Sequence, residues 1–307
     1  MTCERAAVDA DIMPPQGDAA GDARPVTGCV PGIELCGDGI DQDCDGIDPP
    51  CPPNDHASGA IDVTAGGNFT ADLTYAHDDL GASCGGTGGR DIFYSVTLAA
   101  PQVYYFDTFG SSFDSVVHVY GTSCTMVTGA TALAACSDDA CAGSQSQLAV
   151  QLGTGTSCIV VDQKNASVTT GSVKLSVLPG GRAGQPIAAG VHTTTGNTCS
   201  ATNVWEPQST DDCVATGSKD LGSKDLGYFF TSCPGQSQLL DADVCTGTSF
   251  DSQIYVRRGQ TQLKCNDDSC GVESRIANVT IANGLLFWLI VDGESDCGAF
   301  QLSTNLR

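Results

Sequence analysis

The chain has 307 residues, with 36 acidic and 13 basic side chains and a formal net charge of −23 at pH 7. So acidic a surface repels a phosphate backbone, which argues against nucleic acid as a partner. No apolar stretch approaches the roughly 20 residues that a membrane-spanning helix needs, so the sequence predicts no transmembrane segment.

The chain contains 17 cysteines and 4 histidines. The cysteines show neither the Cys-x-x-Cys spacing of thiol redox sites nor the Cys/His clusters that zinc prefers. This pattern predicts disulfide bonds, and therefore an oxidising compartment outside the cytosol.

Residues 1–28 are poor in large apolar side chains and are predicted to form a disordered acidic tether. No apolar signal-peptide region follows Met1, and the simplest interpretation is that a leader has been removed or omitted. Cys3, followed by a segment rich in acidic residues, Pro, Gly and Ala, resembles a bacterial lipoprotein attachment site. A lipid anchor at Cys3 is one hypothesis, and a stray thiol or an interdomain bridge is the other.

The strongest chemical motif lies in residues 29–52, the head segment. Asp41, Asp43 and Asp45 stand at alternate positions before a glycine, as at the start of an EF-hand-type loop, where a later backbone carbonyl, here that of Ile47, also coordinates. Such close carboxylates repel one another unless a cation neutralises them, and oxygen ligands suit Ca²⁺. We therefore predict a Ca²⁺ site, the alternative being an acidic turn held by disulfides alone.

The loop lacks the bidentate Glu of an EF-hand at its twelfth position, where Pro52 stands. Asp38, Asp48, Glu34 or water would have to complete the coordination shell, so we expect a modest Kd of roughly 10⁻⁴ to 10⁻³ M. Two disulfides of open connectivity are predicted for the cysteines of the head segment: Cys29, Cys36, Cys44 and Cys51. Because this segment has few apolar residues, metal and disulfides must supply its stability.

The head segment resembles the short Cys/Asp-rich metal-binding motif of secreted proteins from myxobacteria and their relatives. The matching residues are Glu34, Cys36, Gly39, Asp41, Asp43, Cys44, Asp45, Gly46 and Asp48. The segment departs from the family pattern at its end, where Pro49 and Pro50 replace an Asp-Glu pair. The resemblance implies a secreted bacterial protein that binds metal here.

Beyond the head segment, a set of motifs occurs twice in the same order. Ser-Phe-Asp-Ser at 112–115 recurs at 249–252, Cys-x-Asp-Asp-x-Cys at 136–141 recurs at 265–270, and an apolar run ending in Val-Asp at 159–162 recurs at 289–292. This indicates a duplicated domain, and we assign the first repeat to residues 53–180 and the second to 181–307.

Each repeat contains seven or eight short apolar runs, separated by turn residues and without helical periodicity. The predicted fold is all-β: two tandem antiparallel β-sandwich, jelly-roll-like domains preceded by the small disulfide- and calcium-stapled loop region.

Both repeats resemble the bacterial pre-peptidase C-terminal (PPC) domain. The matching features are an Asp-x-x-Tyr strand, Phe-Asp-Ser before an apolar strand, Asp-Asp after a cysteine, and Val-Asp near the end. The resemblance implies a jelly-roll-like β-sandwich appended to secreted proteins, without catalytic activity, and associated with secretion, surface attachment or substrate binding.

The repeated acidic residues have two interpretations. The Asp-Asp pairs can form Asx turns at hairpin tips, pinned by the flanking cysteines, which is the interpretation we favour. Alternatively, the acids of each repeat converge on a further metal site, formed by Asp114, Asp138, Asp139 and Asp162 in the first repeat and by Asp251, Asp267, Asp268 and Asp292 in the second.

The cysteines at equivalent places in the two repeats are predicted to form equivalent bridges: Cys84 and Cys213, Cys136 and Cys265, Cys141 and Cys270. Because the first repeat has five cysteines and the second seven, either each repeat leaves one free or one bridge joins the repeats. Cys158 aligns with Trp288 in an apolar strand, which suggests a buried thiol.

The sequence contains no His-Glu-x-x-His and no phosphate-binding glycine loop, and we predict that the protein is not an enzyme. The first hypothesis is a calcium-binding protein, secreted or on the outer surface of a bacterium, whose sandwiches bind polysaccharide or protein. The alternatives are a self-assembling subunit of an extracellular filament or surface layer, and an accessory region of a secreted hydrolase.

Overall fold

The structure, a computed structural model, describes residues 30–81, 84, 88–165, 170–208, 213, 223–282 and 285–307. The predicted tether, Cys3 and Cys29 lie outside these residues. Within the described residues, three short 3-10 helices lie at Ala57–Gly59, Cys124–Met126 and Thr198–Ser200. None of the described helices is long and apolar enough to cross a membrane.

Among the described residues, the first repeat contains nine strands. They are β1 (Ile61–Asp62), β2 (Gly67–Asp72), β3 (Asp91–Leu98), β4 (Gln102–Asp107), β5 (Ser115–Tyr120), β6 (Ala135–Ser137), β7 (Gln147–Leu152), β8 (Gly155–Gln163) and β9 (Ser172–Pro179). They form a five-stranded sheet of order β1-β3-β8-β5-β6 and a four-stranded sheet of order β2-β9-β4-β7.

The second repeat has the same plan. Its strands are β10 (Gln185–Pro186), β11 (Gly190–Asn197), β12 (Leu226–Thr231), β13 (Ser237–Thr246), β14 (Ser252–Arg258), β15 (Thr261–Asn266), β16 (Arg275–Ala282), β17 (Leu286–Gly293) and β18 (Ala299–Leu306). The sheet orders, β10-β12-β17-β14-β15 and β11-β18-β13-β16, repeat those of the first copy. The predicted all-β fold is confirmed; the pairs β1/β3 and β10/β12 are parallel, and the remaining pairs of named strands are antiparallel.

Each repeat buries its own core between its two sheets. In β3, alternate residues Ile92, Tyr94 and Val96 face the core of the first repeat, as the two-residue period of a strand requires. In β17, alternate residues from Phe287 to Val291 face the core of the second repeat.

The other face of β17 is also buried, which explains its uninterrupted apolar sequence. Trp288 and its neighbours on that face pack in a cluster with Phe229 and Trp205 of the second repeat and with Val103 and Tyr105 of the first. The two sandwiches are therefore packed against each other through a shared apolar junction.

Hydrogen bonds and a disulfide cross this junction. The Gly184 amide donates to Gln151 Oε1 at 2.8 Å, and Gln147 Nε2 donates to the Ser232 carbonyl at 3.0 Å. The bridge Cys141–Cys233 joins the two repeats directly, as one of the two alternatives for the unequal cysteine numbers proposed.

The other disulfides confirm part of the predicted equivalence and correct the rest. Cys84–Cys136 and Cys213–Cys265 are equivalent bridges, each with a sequence separation of 52 residues. Cys141 and Cys270 are not equivalent, because Cys270 pairs with Cys245 inside the second repeat. The prediction of a buried thiol at Cys158 was wrong, since it forms a bridge to Cys124. The remaining bridges are Cys36–Cys51 in the head segment and Cys199–Cys297 in the second repeat, and Cys44 is also disulfide-bonded.

Candidate metal centres

In the head segment, the carboxylates of Glu34, Asp41 and Asp43 converge, with ligand oxygens within 4.8 Å of one another. Glu34 is 5% exposed and Asp41 2%. Glu34 Oε2 accepts hydrogen bonds from the amides of Gln42 at 2.8 Å and Asp43 at 2.9 Å, whereas its Oε1 is buried with no hydrogen-bond partner. A buried carboxylate oxygen without a partner is costly unless a cation neutralises it, so this donor set fits a hard cation such as Ca²⁺.

The other predicted carboxylate ligands of the head segment, those of Asp38, Asp45 and Asp48, are not part of this cluster. The Asp48 carboxylate accepts hydrogen bonds of 2.6 Å from two loop glycine amides, and Asp38 accepts one of 2.9 Å from the amide two residues on. Asp45 accepts a hydrogen bond of 2.8 Å from the Ile47 amide. The carboxylates of Asp38 and Asp45 form short-range turns, that of Asp48 closes the loop onto its start, and Glu34, from outside the loop, joins Asp41 and Asp43 in the cluster.

The head segment is fixed to the first sandwich. Arg90 Nη2 donates to the Glu34 carbonyl at 3.0 Å, and the Cys36 amide donates to the Tyr75 carbonyl at 3.1 Å. The candidate cation site is therefore anchored to a β-sheet framework through its own main chain.

A second anchor, which the sequence did not predict, pairs Asp55 with His77. Asp55 is buried, accepts a hydrogen bond from the His77 amide at 2.8 Å, and lies 2.7 Å from His77 Nδ1. These two residues lie beside the sulfurs of Cys36 and Cys51. Because the sulfurs form a disulfide and the carboxylate is bound by histidine, we interpret this group as a structural joint.

In the first repeat, Asp114, Asp138 and Asp139 converge within the same 4.8 Å limit. The ammonium group of Lys164 lies among these carboxylates, with Nζ 3.6, 3.0 and 3.1 Å from the carboxylate oxygens of the three residues in that order. Its hydrogen bonds to Asp138 and Asp139 raise the pKa of Lys164. The first repeat thus neutralises its repeated acids with an internal ammonium group.

In the second repeat, Asp251, Asp267 and Asp268 converge in the same way, but Glu294 stands where the first repeat has Lys164. The equivalence is structural as well as sequential, because the amide of Lys164 donates to the Asp114 carbonyl at 2.9 Å and that of Glu294 to the Asp251 carbonyl at 3.0 Å.

The extra acid changes the electrostatics of this cluster. Burial raises the pKa of Asp251 to about 6, assisted by a hydrogen bond with Glu294 and by repulsion from Glu294, Asp267 and Asp268. The same fold therefore places a fourth acidic side chain in the second repeat at the position where the first repeat has an ammonium group.

Asp162 and Asp292 do not belong to these acidic clusters. Asp162 is buried, accepts a hydrogen bond of 3.2 Å from the Gly89 amide, and lies 3.5 Å from His118 Nε2. Asp292 is equally buried, and its Oδ2 accepts a hydrogen bond of 3.0 Å from the hydroxyl of Tyr255. The Val-Asp repeat is thus an internal hydrogen-bonding feature of each sandwich.

No protein-family model matches the sequence, and no curated protein matches it. A solved structure that resembles the chain is the pre-peptidase C-terminal domain of collagenase from Bacillus anthracis, with 12% identity and a TM-score of 0.27, over 39% of this chain and 94% of that one.

Two further structures resemble larger parts of the chain. One is a triple jelly-roll protein from the turret of an archaeal virus, with 10% identity and a TM-score of 0.22, over 78% of this chain and 59% of that one. The other contains the M60 catalytic domain and two CBM51 domains of ZmpB from Clostridium perfringens, with 10% identity and a TM-score of 0.18, over 71% of this chain and 33% of that one. Similarity at this level does not assign the chain to a family.

Proposed function

We propose that this protein is a non-catalytic binding protein of the bacterial exterior, in which Ca²⁺ and disulfides hold a head segment and two packed β-sandwiches as one rigid unit. The observation that carries the calcium assignment is the buried Oε1 of Glu34, which has no hydrogen-bond partner and lies in a cluster with Asp41 and Asp43. When bound, the ion would neutralise the three carboxylates and tie residues 41–43 to Glu34, which is itself fixed to the first sandwich through its backbone carbonyl.

A location outside the cytosol is supported by the disulfides. They link the head segment internally, close loops within both repeats and join the repeats. Reducing conditions would remove these restraints together, whereas an oxidising exterior preserves them.

A binding role rather than catalysis is supported by the way the perturbed acidic groups are used. Burial raises the pKa of Asp91 to about 9, yet its carboxylate accepts hydrogen bonds from the amides of Asp79 and Leu80 at 3.1 and 2.9 Å. In the second repeat, the Asp225 carboxylate likewise accepts a hydrogen bond of 2.8 Å from the Trp205 amide. These repeated acids fix loops to the sheet edge, so each buried carboxylate has a structural role.

Calcium titration of the intact protein tests this function. With a Kd near 10⁻⁴ M, calcium at about 100 times the Kd should raise the free energy of unfolding by about 2.7 kcal/mol relative to EDTA. Glu34→Gln should abolish this gain, because it removes the charge of the cluster's central carboxylate. Asp62→Asn, which removes an exposed carboxylate whose Oδ1 accepts from the Thr64 amide, is the matched control and should keep it. Equal denaturation midpoints in calcium and in EDTA would refute the calcium assignment.

A further inference from the structure

A cavity of about 450 Å³ lies beside the junction of the two sandwiches. It is lined by Arg182 from the connection between the repeats, by Arg257 of β14, and by Asn203 and Glu206 from the segment before β12. A second cavity of about 440 Å³ shares Arg182 with it and extends to Gln151 of the first repeat. Both volumes are within the range of small-molecule sites. Together the two cavities form a groove, the junction groove, with walls from both repeats.

The two arginines of the junction groove have little protein compensation. Arg257 is 7% exposed; its Nη2 donates to the Glu206 carbonyl at 2.5 Å, and its buried Nε has no hydrogen-bond partner. The guanidinium of Arg182 lies 4.2 Å from the ring centroid of Trp205 and that of Arg257 5.6 Å from it. Across the part of the chain that the structure describes, neither guanidinium has a carboxylate oxygen within 4.0 Å.

This arrangement is unusual for a chain with 36 acidic and 13 basic residues, in which acidic partners are abundant. Burial lowers the pKa of Arg257, and the neighbouring charge of Arg182 acts in the same direction. A buried cation without a carboxylate within hydrogen-bonding distance is costly, and a bound anion would accept a hydrogen bond from Nε of Arg257 and offset the repulsion between the two guanidinium groups.

The charge and chemistry of the lining select the kind of anion. Two arginines stand against Glu206 and the buried Asp225, whose carboxylate already accepts hydrogen bonds from two backbone amides. The lining therefore has a net charge near zero, which suits a monoanion better than a phosphate dianion. The planar guanidinium donates in pairs to a carboxylate. The amide groups of Asn203 and Gln151 provide the mixed donors and acceptors that hydroxyl groups need.

We propose that the junction groove binds the carboxylate of an acidic saccharide, a uronic acid residue, between Arg182 and Arg257, with the amides of the groove contacting sugar hydroxyls. This inference rests on the proposed binding function and gives it a ligand class. A sulfate ester on a sugar carries the same single charge, so the experiment must separate the two.

Intrinsic fluorescence offers a direct measurement, because the chain has only two tryptophans. Trp205 lines the groove, and Trp288 packs against it with ring centroids 5.3 Å apart. The intact protein is titrated with digalacturonate, with a neutral galactose disaccharide, with galactose 6-sulfate and with inorganic phosphate. Digalacturonate should give a saturable signal that weakens with added salt, and the neutral disaccharide should give none.

Variants locate the site. Arg182→Gln, at a half-buried position, should weaken digalacturonate binding about tenfold or more, as expected for the loss of a charged hydrogen bond. Arg258→Gln is the matched control, because Arg258 follows Arg257 directly but donates to the Ala282 carbonyl on the surface, and it should bind like the parent protein.

Three results would overturn the proposal: no saturable signal with digalacturonate, tighter binding of galactose 6-sulfate or phosphate than of digalacturonate, or equal losses in Arg182→Gln and Arg258→Gln. Absence of uronate binding together with a calcium-dependent gain in stability that Glu34→Gln abolishes would refute the junction groove alone. Equal stability of the parent protein in calcium and in EDTA, with uronate binding intact, would refute the calcium assignment alone.

Discussion

The disulfide between the repeats is the feature that most directly tests whether the two sandwiches act as one unit. Cys141–Cys233 spans 92 residues, and replacing both cysteines by serine releases a loop whose closure is worth about 4 to 5 kcal/mol of chain entropy at 25 °C. Cys199–Cys297 spans 98 residues but lies inside the second repeat. The chain-entropy argument assigns it nearly the same value, so it is a control matched for loop length.

The two double variants should nevertheless unfold differently. Without Cys141–Cys233, the sandwiches remain in contact through the apolar junction, to which the first repeat contributes Val103, Tyr105 and the partly buried Ala149. So small an apolar surface is too weak to keep two domains cooperative. The control variant keeps the covalent link, so its junction should separate only when the second repeat itself unfolds.

Guanidinium denaturation under non-reducing conditions distinguishes these cases, because tryptophan fluorescence reports the junction and far-ultraviolet circular dichroism reports the sheets as a whole. In the parent and the control variant the two transitions should coincide, with a lower midpoint in the control. In the inter-repeat variant the fluorescence transition should come first. Coincident transitions at the parent's midpoint in that variant would show that the bridge is not what couples the repeats.

Two further predictions concern the acidic clusters of the repeats. In EDTA, the free energy of unfolding should fall as the pH rises from about 4 to about 6. The pKa of Asp251 is about 6 in the folded state against an ordinary value of 3.8, so the folded protein binds more protons than the unfolded protein in this window. Urea midpoints measure this fall, and a fall of unchanged size in Glu294→Lys would contradict its assignment to this cluster. In the first repeat, Lys164→Ala removes the internal cation of three carboxylates, so it should lower the melting temperature in EDTA and make the rise with calcium larger than in the parent protein. The control is Lys174→Ala, and a calcium-induced rise in Lys164→Ala equal to the parent's would show that the cluster does not accept a metal ion.

The strand plan could be predicted because it depends on local rules. Short apolar runs bounded by Gly, Ser and Asn give strands, and a duplicated order of motifs gives a duplicated order of strands. The acidic residues were found for the same reason, since alternate Asp residues and Cys-x-Asp-Asp-x-Cys are contiguous in sequence. What contiguity could not supply is the direction of each carboxylate: Asp45 and Asp48 turn to backbone amides, and the third member of the head cluster is Glu34.

The junction between the repeats could not be predicted, because its parts are distant in sequence and each has a local explanation. The apolar run of β17 reads as an ordinary buried strand, Trp205 stands in a polar segment, and the odd cysteine of each repeat can be assigned to a free thiol. The structure shows that β17 is buried on both faces, and packing against the first repeat is the second reason for its apolar sequence. The one sequence signal was the unequal number of cysteines in the repeats, which permitted a bridge between them without identifying its ends.

The differences between the repeats carry more information about function than their common fold. Two copies with the same sheet order place Lys164 and Glu294 at one backbone position, and the second copy places a half-buried Arg182 and a buried Arg257 in a groove that continues to Gln151 of the first. Because Gln151 of the first repeat lines the groove beside Arg182, the complete binding surface belongs to the pair. Rigidity then has a direct physical purpose: a groove built from two domains keeps its shape only if the disulfide and the apolar junction prevent the domains from moving apart, and a preorganised groove binds without the cost of ordering it.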